Sequence, residues 1–379
     1  MAESPAKELR RILNSPGIHQ GPGCFDALSA KLAERAGFKY CFASGFAISG
    51  TRLGLPDTGY ISYGEMVDQG QQITQAVSIP VIGDGDNGYG NAMNVKRTVM
   101  GFIRAGFAGI ILEDQAFPKK SGDAQGMKVV SREEAVMRIK AAVDARNESG
   151  SDIVIVARTD SRQTVSLDES LWRLRAFADA GADILFNNSL ASREEMEAFC
   201  KICPHVPKVV TMFEGRGKSS FFQPHELEAI GYKLVMYPIS LLGVSIQAMQ
   251  NSLIDIRDGR IPPHEEMPSL MEIKEILGFN IYHEEEKRYT QSGKGLLPLS
   301  CRCPCFDSKA LASDESPSRL VHAQSQWTNL RSAPISKGAY ALHSLPLNDE
   351  ARSGRRDLNP QPQPWQGYAL PLSYFYQLQ

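Results

Sequence analysis

No stretch of this 379-residue chain approaches 18 uncharged apolar residues, so nothing in it reads as a membrane-spanning helix. An excess of one charge is lacking too. With 41 Lys and Arg against 43 Asp and Glu, the net charge of -2 gives no electrostatic reason to bind nucleic acid or an anionic membrane. Cysteine is scarce and irregular: the seven residues, Cys24, Cys41, Cys200, Cys203, Cys301, Cys303 and Cys305, lack the spacing of a disulfide framework. A reducing, intracellular home is the simpler expectation. The N-terminal MAESPAKELRRILNSPG has acids from the start and no apolar core, so no secretory signal is visible. A cytoplasmic protein is expected, or a plastid one if a transit peptide is missing. CKIC at 200–203 reads as the end of an amphipathic helix beginning at Ser192, and CRCPC at 301–305 lacks a second Cys or His pair at zinc-finger spacing. Cys24 and Cys41 read as inert core thiols.

What is present divides near residue 295. Beyond it, residues 296–379 are a Pro/Ser/Gln mixture with little periodicity, expected to be a disordered extension. Before it, short β-branched runs alternate with helical patterns, with strands expected at 17–23, 39–44, 79–84, 108–113, 153–158, 183–187, 207–212 and 232–237. Capping boxes at Ser131/Glu134, Ser166/Glu169 and Ser192/Glu195 open three of the intervening helices. Eight strands alternating with amphipathic helices predict a (β/α)8 TIM barrel over residues 1–295, with a doubly wound sheet as the alternative. Two further helices follow the eighth strand, and the second carries Leu270, Ile273, Ile276 and Leu277 on one face. A barrel needs only one helix there, so the second is expected to pack outside it, on a neighbouring subunit. Trp172, in the helical pattern LWRLRAF, reads as core.

A barrel's active site lies at the C-terminal ends of its strands. Those ends carry Ser44 and Gly45, Asp84 and Asp86, Glu113, Arg158, Asn188, and Thr211 with Glu214. Three carboxylates facing one Arg make a hard-oxygen cation site beside an anion anchor. Carboxylates without neighbouring His or Cys select Mg2+, or Mn2+, over Zn2+. None of the seven His falls at a strand's C-terminal end, which argues against a His-based triad or a zinc hydrolase. Gly83 to Gly88 also matches the dinucleotide pattern GxGxxG, but Asp84 and Asp86 would confront a pyrophosphate with like charge, so a metal loop is the better reading. Tyr89, just beyond that loop, is placed to reach the site or to pack. GRGKSS at 215–220 reads as a phosphate-binding loop or a flexible turn.

Taken in order, FASG (42–45), GLPDTG (54–59), DGDNGYGN (84–91), GIILEDQ (109–115), KKSG (119–122), ARTD (157–160) and AGADILF (180–186) resemble the isocitrate lyase/phosphoenolpyruvate mutase superfamily. Within it, the chain is similar to the plant carboxyvinyl-carboxyphosphonate phosphorylmutase-like and petal-death-like proteins. The resemblance spans about residues 15–290. It implies Mg2+ bound by Asp84, Asp86 and Glu113, partly through water, and a substrate carboxylate held by Ser44, Gly45, Phe46 and Arg158. Asp57, Asn188 and Thr211 would complete the pocket. It further implies a homotetramer whose last barrel helix is swapped between subunits.

Departures from the lyase pattern bear on the chemistry. Ser121 stands where lyases carry the acidic Cys of KKCGH, and Asp123 where they carry its His. Phe42, Asn188 and Thr211 replace a Tyr, a Glu and an Asn. An unassisted Ser hydroxyl is a far weaker acid than a thiol. Ser121, Asp123 and Lys120 are nonetheless the expected catalytic residues, with Asp123 as a base through water and Lys119 and Lys120 either screening substrate charge or solvated. The expected reaction is a Mg2+-dependent C–C cleavage of a small 2-hydroxy- or 2-oxo-dicarboxylate through an enolate. The alternatives are P–C chemistry on a phosphonopyruvate-like substrate, or a barrel that binds metal and dicarboxylate with little turnover.

Overall fold

The computed structural model describes residues 3–119, 126–212, 222–263, 265 and 267–291. Lys120, Ser121, Asp123, Glu214, the GRGKSS stretch, CRCPC and the 296–379 extension lie outside the described residues.

Eight parallel strands close on themselves in chain order: β1 (His19–Cys24), β2 (Cys41–Ala43), β3 (Val81–Asp84), β4 (Gly109–Glu113), β5 (Val154–Thr159), β6 (Ile184–Asn187), β7 (Lys208–Thr211) and β8 (Leu234–Tyr237). The β1–β8 pairing, His19 opposite Leu234 through Pro22 opposite Tyr237, makes this a barrel and excludes the open doubly wound sheet. Side chains alternate across each strand. Phe42, Ile82, Ile111, Val156, Phe186 and Val209 pack inside with Tyr40 and Met236. Cys41, Ile110, Leu112, Ile155, Ala157 and Leu185 face outward into the layer under the helices. The N-terminal helix Pro5–Asn14 adds Leu9 and Ile12 to the inner group and ties its Arg10 to Asp183 at 2.9 Å.

Three details depart from expectation. Ser131, Ser166 and Ser192 do cap their helices, accepting from Glu134, Glu169 and Glu195 backbone N–H groups, but the reciprocal half of each box is not formed. Those glutamates are drawn instead to arginines: Glu134 to Arg138, Glu169 to Arg132 and Arg173, Glu195 to Arg162. A charge-assisted pair outcompetes a bond to one's own cap. Trp172 is 40% exposed rather than core. The helix Leu167–Asp179 buries Leu171, Leu174 and Phe177, and Trp172 lies on the other side with Arg132 stacked 4.1 Å from its ring centre. Finally, among the described residues three helices follow β8, not two: Ser240–Arg257, Leu270–Leu277 and Phe279–Gln291.

Candidate active site

The alternation that fills the barrel also aims the site. Two residues beyond the inward-facing Phe42, Ile82, Ile111, Val156, Phe186 and Val209 come Ser44, Asp84, Glu113, Arg158, Asn188 and Thr211. Strand pairing then fixes their heights, with Glu113 directly opposite Arg158. Beyond β3 the chain stays stitched to β4, because Gly85 N–H donates to Ile111 O (2.8 Å) and Glu113 N–H donates to Asp86 O (2.9 Å). Asp86 accepts a left-handed backbone (φ 48°) to make that turn. Gly85 has no room for a side chain, since a Cβ there would lie 2.7 Å from Ile111 O. Gly45 likewise lets the chain after Ser44 approach Asp84, whose Oδ2 would be 2.7 Å from an added Cβ.

Three acids gather around one ammonium. Lys119 Nζ lies 2.9 Å from Asp57 Oδ2, 2.9 Å from Asp86 Oδ1 and 3.8 Å from Glu113 Oε1. With its side chain 9% exposed, Lys119 is not a solvated loop lysine. Burial alone would lower its pKa, but Asp86, Glu113 and Asp57 raise it well above the ordinary value. Burial pushes Asp84 up to about 6, with Asp86 adding to the rise. Burial likewise pushes Glu113 up to about 8, against the pull of Arg158 and Lys119. Glu113 Oε2 is 3.0 Å from Arg158 Nη1 as an ion pair, yet neither Glu113 oxygen is aligned for a hydrogen bond, and buried Asp57 Oδ1 and Tyr89 OH also have none. Tyr89 packs edge-on against Tyr63, ring centres 5.9 Å apart, and burial beside Asp86 and Asp84 holds its phenol protonated.

Among the described residues no three acids converge into a cage that would hold a metal ion by themselves. The Lys119 ammonium instead engages Asp57, Asp86 and Glu113. The donor set still fits a hard dication that keeps much of its water: carboxylates only, with Asp84 outside the lysine's reach and buried oxygens short of partners.

Beside Glu113, on the neighbouring strand β5, stands Arg158. Its Nε and Nη2 each donate at 3.0 Å to Asp160, its guanidinium lies 5.4 Å from the centre of the Phe186 ring, and its side chain is 16% exposed. Asp114 faces away from the barrel. It accepts from Thr159 Oγ1 (2.5 Å), Asp160 N–H (2.9 Å) and Arg173 Nη1 (3.1 Å), latching β4 to β5 and to the helix layer.

Of the residues expected from sequence, Ser44, Gly45, Asp84, Asp86, Glu113 and Asn188 are buried at the strand ends, with Asp57, Arg158 and Thr211 partly exposed. Phe46 is 51% exposed. Lys119, which the sequence offered as either charge-screening or solvated, is in the cluster, and Lys120 lies outside the described residues. Two residues bonded into the site, Asp114 and Asp160, were not singled out from the sequence. Asp114 and Asp160 sat inside quoted motifs, and alternation alone places Asp160 on the same face as Arg158.

The chain matches the family model for phosphoenolpyruvate phosphomutase over residues 9–257. It is 38% identical over 286 residues to 2,3-dimethylmalate lyase of Eubacterium barkeri, covering 75% of this chain and 98% of the relative. It is 36% identical over 288 residues to the chloroplastic carboxyvinyl-carboxyphosphonate phosphorylmutase of Arabidopsis thaliana, covering 74% and 84%. Among solved structures, oxaloacetate acetylhydrolase with its product oxalate superposes with a TM-score of 0.71 at 32% identity, covering 76% of this chain and 98% of that one. Phosphonopyruvate hydrolase with oxalate and Mg2+ superposes at 0.68 and 31%, covering 76% and 100%.

Proposed function

This chain belongs to the phosphoenolpyruvate mutase/isocitrate lyase superfamily, and from that premise we propose that it cleaves a C–C bond in a small 2-hydroxy- or 2-oxo-dicarboxylate through an enolate. The observation that carries this reading is that Arg158, ion-paired to Glu113, shares the barrel mouth with the buried Asp84, Asp86 and Glu113 and the partly exposed Asp57. Asp84, Asp86 and Glu113 would hold Mg2+, or Mn2+. When bound, the cation supplies the positive charge that an enolate's oxygens need. Arg158, with Ser44 and the backbone at Gly45 and Phe46, orients the substrate carboxylate. Lys119 contributes charge and not a proton, because three acids hold it as an ammonium. That leaves the 120–125 segment to supply proton transfer, with Ser121, Asp123 and Lys120 as the candidates.

A second reading is P–C chemistry on a phosphonopyruvate-like substrate. It is favoured by one sequence observation, the replacement of the lyase Cys and His by Ser121 and Asp123, and by the likeness to a phosphonopyruvate hydrolase. Proton NMR of the full chain with Mg2+, offered malate-type, oxaloacetate and phosphonopyruvate substrates separately, decides between them. Products from the first two and none from the third support the C–C reading. Turnover of phosphonopyruvate alone replaces it with the second, and no turnover of any leaves a binding barrel.

A further inference from the structure

Asp160 is fully buried at the barrel mouth, yet neither of its oxygens is spare. Arg158 Nε donates to Oδ2 and Arg158 Nη2 to Oδ1, both at 3.0 Å, while Asn188 Nδ2 donates to Oδ1 at 2.5 Å. Its backbone N–H is fixed to Asp114 Oδ1 at 2.9 Å. Asn188 is held as well, its own N–H donating to Thr159 O at 3.0 Å and the chain turning sharply after it at Ser189, a non-glycine residue in the left-handed region (φ 59°). Both Asp160 and Asn188 are more than nine-tenths buried. Each of the Asp160 oxygens is thus committed to the side chains of Arg158 and Asn188.

A guanidinium gripped by a two-point fork loses its rotational freedom and presents its remaining N–H groups in one plane. Glu113 Oε2 lies 3.0 Å from Nη1 as an ion pair without hydrogen-bond alignment, so Nη1 is not held by the same fork. We propose that Asp160 and Asn188 form a positioning pair that fixes the Arg158 guanidinium for a substrate carboxylate, with Asn188 acting through Asp160 and not on the substrate. This deepens the proposed function and rests on its assignment of Arg158 as the carboxylate anchor. The residue type at 188 matters for a physical reason. An amide donates to Asp160, whereas a carboxylate in its place would set two like charges at hydrogen-bond distance. Asn188→Asp should therefore harm the site more than Asn188→Ala.

The test is calorimetric titration of the full chain, first with Mg2+ alone and then with oxalate at saturating Mg2+, alongside thermal unfolding. The proteins are wild type, Asp160→Asn, Asn188→Ala, Asn188→Asp and the Asp160→Asn/Asn188→Ala double variant. Supporting indirect partners typically cost about tenfold to a hundredfold when removed. The expected result is a loss of oxalate affinity of about that size in Asp160→Asn, a smaller one in Asn188→Ala, a larger one in Asn188→Asp, and no further loss in the double variant. Mg2+ affinity should fall by less than oxalate affinity, because neither residue bonds directly to Asp84, Asp86 or Glu113 and both reach Glu113 only through Arg158. Additive losses in the double variant would overturn the coupling, since Asn188 would then act on the ligand independently. Equal weakening of Mg2+ and oxalate would reduce the pair to a structural role. Should Asp160→Asn not fold, the order of Asn188→Ala and Asn188→Asp still decides. Wild type that binds Mg2+ but no oxalate would remove the Arg158 anchor itself, and the pair's role with it.

Discussion

Ser121 occupies the position where the resemblance places a lyase's acidic cysteine, and the described site offers no strong replacement. Lys119 is held as an ammonium by its acids, and Tyr89's phenol is kept protonated well past its ordinary range. Under the proposed function the described residues supply charge stabilisation, and proton donation, typically worth about two to four powers of ten, falls to the 120–125 segment. Ser121→Cys is accordingly expected to raise C–C lyase turnover by about tenfold or more, measured by pyruvate or oxalate release, with oxalate affinity unchanged. A loss of turnover would show that the hydroxyl itself has a role.

Between elements, the latch at Asp114 carries the most weight. It joins β4, β5 and the helix Leu167–Asp179 through Thr159, Asp160 and Arg173, all of them buried. Breaking a buried pair by removing one charge typically costs about 3–5 kcal/mol. Asp114→Asn should lower stability by roughly that amount in urea unfolding, and lower oxalate affinity as Asp160 shifts. The surface network behaves differently with pH. Hydrogen bonds from Arg132 and Arg173 hold Glu169 below its ordinary pKa, and those from Arg162 do the same for Glu195. A depressed folded pKa gives stability that is present above the unfolded value of about 4.3 and is lost as pH falls through the folded one. The unfolding midpoint should therefore drop on acidification below about pH 4.5, and a Glu169→Gln/Glu195→Gln variant should show a shallower drop. These same glutamates mark where sequence reading stopped short. The Ser-x-x-Glu spacing correctly located three helix starts, but the arginines that capture the glutamates lie up to 37 residues away. The eight strands were legible because alternation and β-branched runs are local. Asp84, Glu113 and Arg158 followed from strand ends, whereas the inward turn of Lys119 depends on three acids from separate segments.

At the scale of the whole molecule, the helices after β8 stand out. Ser240–Arg257 buries none of its residues, and Val244 (63%), Met249 (56%) and Leu253 (64%) are exposed along it. Leu270, Met271 and Ile281 on the two helices that follow are exposed as well. So many large apolar side chains left uncovered on one set of helices is the composition of an interaction surface. The resemblance supplies the occupant, a second copy exchanging its last barrel helix, so light scattering should give the mass of a tetramer. Leu253→Glu with Met249→Glu should shift it toward the single chain.

The claim on which the rest depends is that the acids and Arg158 form one enolate-binding site. Its most direct test is titration of the full chain with oxalate, with and without Mg2+, in wild type and Asp84→Ala. Binding that requires Mg2+ and vanishes in Asp84→Ala is the predicted result. Oxalate binding of equal strength without Mg2+, or unchanged by Asp84→Ala, would contradict it and leave Arg158 an anion site unconnected to the acids.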